Sequence, residues 1–131
     1  GLNLGDNAQA ALLTRGLAEM TRIGVASGGR RETFMGLSGV GDLIVTCYSR
    51  HSRNQTVGRR LAEGKSLQEI LDTLGMVAEG VPNTLSVYEI ARKLEVRTPL
   101  IDAVYSVLYE SKPPMEALAE LMTRDPWPEL D

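Results

Sequence analysis

Apolar residues recur three and four positions apart along most of the chain, and nowhere do they alternate over a length that reads as a strand. Asp6 or Asn7 can cap a long first helix, AQAALLTRGLAEMTRIGVAS, whose Leu13, Leu17, Met20 and Gly24 follow the spacing of a buried stripe. Gly28 and Gly29 end it, being free to take positive φ. Arg31 to Met35 predicts one or two turns before Gly36. A segment from Gly39 to about Ser49 follows, then a helix from Arg53 to Glu63 closed by Gly64. Ser66 with Glu69 three residues later is a capping box ahead of Ile70, Leu71 and Leu74, and Gly75 closes that helix. Another helix runs from about Pro82 through Leu94. Pro99 then opens LIDAVYSVLYES, with Leu100, Val104, Val107 and Leu108 turned inward and Tyr105 and Tyr109 on a core stripe. Pro114 to Met122 is short and amphipathic, and Pro126 and Pro128 leave the end irregular. The pattern predicts an all-α protein, one helical domain over residues 1–131 with its core in about 1–124 and a tail at 125–131.

Composition sharpens this picture in three ways. With 43% hydrophobic and 24% charged residues the chain is of ordinary globular make-up. No apolar run approaches the roughly 20 residues of a membrane span, and no basic-then-apolar leader opens the chain, so a cytoplasmic protein is expected. One cysteine, Cys47, cannot make an internal disulfide, and with His51 as its only classical companion it offers no structural zinc site. The net charge of −3 hides an asymmetry: residues 1–60 carry eight Lys/Arg against four Asp/Glu, the remainder six against thirteen. A basic half inside an acidic protein suits a small anion, whereas a nucleic-acid binder is usually basic over a broad face. With only 5% aromatic residues, base stacking is disfavoured as well.

Candidate chemistry gathers in SGVGDLIVTCYSRHSRNQ, Ser38 to Gln55. Gly39 and Gly41 do not make a nucleotide loop, since Ile44 stands where a third glycine belongs and no strand precedes them. They read as glycines of a tight turn or close packing. Cys47 lies in the apolar run LIVTC and reads as a small core residue, while His51 falls in a polar loop. If the stretch is helical, Asp42 and Thr46 share a face that Ser49 extends. Asp42 is then either a cap or ion-pair partner, or a ligand. Ser52-Arg53-Asn54 is the stronger signal: a polar residue at a helix start, followed by Arg and Asn, offers backbone N–H groups and a guanidinium fork together. An Arg there is unfavourable beside the positive helix end unless an anion offsets it. Arg50, Arg59 and Arg60 are expected to add to the local field. Glu79 in VAEG either caps the next helix or accepts hydrogen bonds from a ligand.

Taken together, GDNAQAALLTRGLAEM, GLSGVGDLIVTCYSRHSRNQTVGRRL and VAEGVPNT resemble the C-terminal domain of the bacterial NAD(P)-dependent glycerol-3-phosphate dehydrogenases, from about Leu4 to Glu120. The combination of GDL, TC and SRN at these spacings is far more specific than any one of its pieces. What the resemblance implies is an enzyme that reduces dihydroxyacetone phosphate to sn-glycerol 3-phosphate with a reduced nicotinamide cofactor, for phospholipid synthesis. The implied fold is a helical substrate domain of the 6-phosphogluconate-dehydrogenase-like C-terminal type, preceded in the family by a Rossmann domain that this chain lacks.

Position by position, the resemblance makes Asp42 the substrate-site aspartate and Thr46 a threonine of the same pocket. It makes Ser52, Arg53 and Asn54 the substrate-binding trio, with Arg53 also approaching the cofactor. Val77 and Glu79 match positions at the nicotinamide end of the cofactor. The general acid of the family is a lysine upstream of the GDN segment, so no catalytic acid is expected here, and Lys65, Lys93 and Lys112 stand in unlike contexts. Alone, the chain is expected to be inert and to bind NAD(P)H weakly. Its expected partners are the substrate and a Rossmann domain docked on an exposed apolar face, and the resemblance is compatible with a homodimer. No metal is called for. Two other readings remain at this point: the helical domain of a related two-domain hydroxy-acid dehydrogenase, and a helical interaction domain without chemistry.

Overall fold

The computed structural model describes residues 2, 4–49, 51–75 and 77–124. Among them the chain forms eight α-helices and one π-helical turn, with no strand. The expected tail at 125–131 and Arg50 lie outside the described residues.

The first helix, α1 (Asp6–Ala26), has Gly5 at its N-cap position and receives no side-chain cap from Asp6 or Asn7. It ends where Gly28 takes φ +98°, as its sequence predicts. The expected stripe of Leu13, Leu17, Met20 and Gly24 is only half-buried, and the fully buried residues of α1 are Glu19 and Thr21. Thr21 is satisfied within the helix by donating to the Leu17 carbonyl at 2.7 Å. Glu19 is satisfied from outside. Its two carboxylate oxygens accept from the backbone N–H groups of Leu100 and Ile101, at 2.6 and 3.0 Å.

Those two donors open α7 (Pro99–Tyr109), whose Thr98 N-cap makes no side-chain cap bond of its own. Pro99 has no N–H to satisfy, and the Asp102 N–H reaches the Thr98 carbonyl at 2.9 Å. Glu19 therefore accepts both donors of that first turn which neither proline nor helix provides for. The neighbouring Arg22 fastens the same junction by donating to the Arg97 carbonyl at 3.1 Å. Desolvation raises the pKa of Glu19 above the ordinary carboxylate value, outweighing the two backbone hydrogen bonds and the pull of Arg22, which lower it.

After α1 the chain turns through α2 (Arg31–Phe34) and the π turn (Leu37–Gly41) into α3 (Asp42–Tyr48). Phe34 lies against Gly24, where a Cβ would stand 2.0 Å from its ring. A Cβ on Gly39 would meet the Phe34 carbonyl oxygen at 2.1 Å, so the glycine of this segment serves close packing. The π turn is marked by the Gly41 N–H donating to the Gly36 carbonyl, five residues back. In contrast to the sequence reading, Cys47 is exposed, as are Ile44, Val45 and Tyr48. The apolar side chains of Met35, Leu37, Ile44, Val45 and Tyr48 thus stand in solvent on one run of the chain, Leu37 at 89% exposure.

The buried core lies in the following helices, α4 (Arg53–Ala62), α5 (Leu67–Leu74) and α6 (Gly80–Lys93). Val57, Ile70, Ala78 and Val81 are buried together, with Leu61, Leu67, Leu74 and Leu108 of α7 packed around them. The capping box of α5 is complete, the Ser66 hydroxyl accepting from the Glu69 N–H and the Glu69 carboxylate from the Ser66 N–H. Gly64 and Gly75 both adopt positive φ where the sequence places helix ends. Ser66→Ala is expected to cost about 1 kcal/mol of unfolding free energy, measurable by urea denaturation, because one N-terminal donor loses its acceptor. On α7 the sequence set Val104 inward, but it is exposed, and Tyr109 lies partly open at the helix end. Finally α8 (Pro114–Met122) has the bounds its sequence predicts and buries Ala117 and Leu121. Arg15 ties it back to α1 through the Leu121 carbonyl, and Lys112 pairs with Glu120. No described helix is long and apolar enough to cross a membrane.

Candidate functional site

Ser52 opens α4 from extended backbone, and its hydroxyl oxygen accepts from the Gln55 N–H at 3.2 Å. That cap fixes the start of the helix, so the next two residues, Arg53 and Asn54, occupy its first turn. Their side chains do not point at random. Arg53 Nη1 donates to the Val77 carbonyl at 3.0 Å, and Asn54 Oδ1 accepts from the Gly80 N–H at 2.9 Å. Residues 24 and 26 positions apart are thereby joined, and VAEG is drawn against the first turn of α4.

The second of these contacts also settles what caps α6. Glu79 stands at the N-cap position but makes no side-chain cap bond, and Asn54 supplies the acceptor from another helix. Gly80 is required by this contact, since a Cβ there would lie 2.8 Å from the Asn54 side chain. The helix consequently begins at Gly80, two residues before the Pro82 start that the sequence suggested.

The donors left over are all of one kind. The Ser52 hydroxyl hydrogen, the Asn54 Nδ2 group, the rest of the Arg53 guanidinium and the backbone N–H groups of Arg53 and Asn54 have no acceptor among the described residues. A surface offering N–H and O–H donors at a helix N-terminus, with a guanidinium fork beside them, matches a phosphate dianion. Val77 and Glu79 are exposed on the adjoining segment.

Other expected members stand differently. Asp42 and Thr46 are exposed on α3, four residues apart on one helical face, and make no hydrogen bond or ion pair among the described residues. The structure joins neither to the Ser52–Asn54 turn by a bond. His51 donates its backbone N–H to Ser49 Oγ at 3.3 Å and forms no pair with Cys47. Arg59 and Arg60 make no hydrogen bond to the side chains of Ser52, Arg53 or Asn54. They lie in the last turn of α4, where cations complement the helix dipole, bonded to Thr56 and to Thr73 of α5.

One participant was missed by sequence. Tyr109, read there as core, donates its hydroxyl to the Val81 carbonyl at 2.7 Å, at the start of α6. Its place at the end of the apolar stripe gave no sign of that contact.

Residues 1–119 match the family described as the NAD-dependent glycerol-3-phosphate dehydrogenase C-terminus. The chain is 55% identical over 131 residues to a protein of Syntrophotalea carbinolica named glycerol-3-phosphate dehydrogenase, NAD(P)+, and 54% identical over 131 residues to a Pediococcus pentosaceus protein of the same name. All of this chain and 39% of each of those relatives are aligned, so it spans about two fifths of their length. A crystal structure of glycerol-3-phosphate dehydrogenase from Coxiella burnetii superimposes with a TM-score of 0.89 at 43% identity, covering 94% of this chain and 38% of that one.

Proposed function

Because the chain belongs to the family of NAD-dependent glycerol-3-phosphate dehydrogenase C-terminal domains, we propose that it is the substrate domain of an enzyme interconverting dihydroxyacetone phosphate and sn-glycerol 3-phosphate with NAD(P)H. The observation that carries this reading is the first turn of α4, where Ser52, Arg53 and Asn54 present donors together while fastening the Val77–Gly80 segment.

On this reading Arg53 and Asn54 hold the substrate phosphate, with the Ser52 hydroxyl and the free N–H groups completing the cradle. The phosphate is remote from the reacting C2 carbonyl, so its binding energy serves to orient that carbonyl and lowers the barrier to its reduction. When bound, the nicotinamide cofactor supplies the hydride. Val77 and Glu79 border its place, and Arg53, bonded to the Val77 carbonyl, links the two halves of the site. Asp42 on α3 aims and keeps charged the lysine that delivers a proton to the C2 oxygen, a residue the family resemblance puts upstream of the GDN segment. The same reading sets the parent enzyme in the cytoplasm, supplying glycerophospholipid synthesis.

The test is steady-state oxidation of NADH and NADPH by the full-length protein. Turnover with dihydroxyacetone phosphate is expected, with little for the unphosphorylated ketone dihydroxyacetone. Equal turnover of the two ketones would remove the phosphate from the reading and favour a related hydroxy-acid dehydrogenase.

A further inference from the structure

Three backbone groups of the Val77–Val81 segment are gripped by side chains from other helices. Arg53 takes the Val77 carbonyl, Asn54 the Gly80 N–H, and Tyr109 the Val81 carbonyl. The first two grips come from α4, but the third comes from the last residue of α7, on a different element. The segment is therefore held between two helices rather than hung from one. Without the third grip, every side-chain hydrogen bond onto the backbone of this segment would come from α4.

Tyr109 is itself held in place. Its ring lies 5.4 Å from that of Tyr105, which stacks on Tyr88 at 3.8 Å with the planes only 5° apart. Ring stacking of this kind restricts the ring and so the reach of the hydroxyl. The acceptor is equally constrained, because the Val81 side chain is buried among Val57, Ile70 and Ala78. A carbonyl oxygen has two lone pairs, so a residue within a helix can accept this bond without giving up its helical one.

We propose that Tyr109 is a positioning residue: its hydroxyl fixes the Val77–Val81 segment and, through it, the cofactor contacts of Val77 and Glu79. The proposal rests on the reading of those two residues given above. It predicts that the hydroxyl acts mainly on cofactor binding, because Val77 and Glu79 are carried by the segment itself, whereas Ser52, Arg53 and Asn54 are placed by the capped start of α4.

The variant is Tyr109→Phe in the full-length protein, which removes the hydroxyl and keeps the stacked ring. Loss of one hydrogen bond is expected to raise the KM and the directly titrated Kd for NAD(P)H roughly three- to tenfold. The KM for dihydroxyacetone phosphate is expected to stay within about twofold, below the effect of one hydrogen bond. Amide exchange over residues 77–81 should quicken by a similar factor, with residues 67–74 of α5 unchanged. A hydroxyl that only stabilises the fold would lower the melting temperature and leave cofactor affinity and the exchange of 77–81 as they were, which overturns the proposal. A parent that never turns over dihydroxyacetone phosphate would sink the substrate reading instead. Exchange over 77–81 would still decide on Tyr109, with unaltered rates counting against it.

Discussion

Arg53→Ala in the full-length protein is expected to lower kcat/KM for dihydroxyacetone phosphate roughly a hundredfold or more, with part of the rate restored by excess substrate. The size follows from the bonds at stake. A guanidinium fork on a phosphate makes two charge-assisted hydrogen bonds, each contributing about 1.5–3 kcal/mol, and every 1.4 kcal/mol or so is tenfold in rate. Because the phosphate is not the reacting group, most of the loss belongs in KM. The remainder falls in kcat, through looser orientation of the carbonyl and through loss of the Arg53 bond to Val77. Arg53→Lys separates these effects. A lysine keeps the charge and gives up the fork, so it should recover only part of kcat/KM. Wild-type kinetics in the Ala variant would move the phosphate elsewhere and leave Arg53 as a strap for the 77–80 segment.

This site was legible in part, and the division follows from the range of the interactions. Ser52 as a cap, the Ser66 box and the stops at Gly28, Gly64 and Gly75 all depend on residues within four positions of one another. Such features are written locally in hydrogen-bonding groups and in φ preference. The bond from Asn54 to Gly80 spans 26 positions, and nothing at either end announces the other. Glu79 therefore looked like the available cap of α6, when the acceptor comes from α4. Periodicity misled in the apolar run of α3 for a related reason. LIVTC has the composition of a core segment, yet burial is decided by what packs against it, and Ile44, Val45 and Cys47 face solvent. Conversely, Glu19 in the middle of α1 reads as an ordinary polar position of an amphipathic helix, although it is among the most buried residues of the chain.

Glu19→Ala is expected to destabilise the fold by about 2–4 kcal/mol, because the partly buried N–H groups of Leu100 and Ile101 would be left without acceptors, each at the lower part of the range of about 1–3 kcal/mol. That is a large share of the roughly 5–15 kcal/mol that holds a domain together. The α1–α7 junction should open first, seen as faster amide exchange at Leu100 and Ile101. Glu19→Gln should cost less but not recover fully. A carboxamide has one acceptor oxygen for two donors, and its NH2 group would confront the second N–H. The pH dependence has a definite sign. Desolvation raises the folded-state pKa of Glu19 above its unfolded value, so the folded protein binds this proton more tightly. Its contribution to stability is fully present below the ordinary carboxylate pKa and is lost as pH rises through the raised one. The stability gap between wild type and Glu19→Gln should accordingly narrow with rising pH across that window and then level off. Urea unfolding of both proteins from acid to neutral pH measures the gap directly. A gap that widens with pH would mean that the two backbone bonds and Arg22 outweigh desolvation, and that Glu19 caps α7 as a carboxylate favoured by its surroundings.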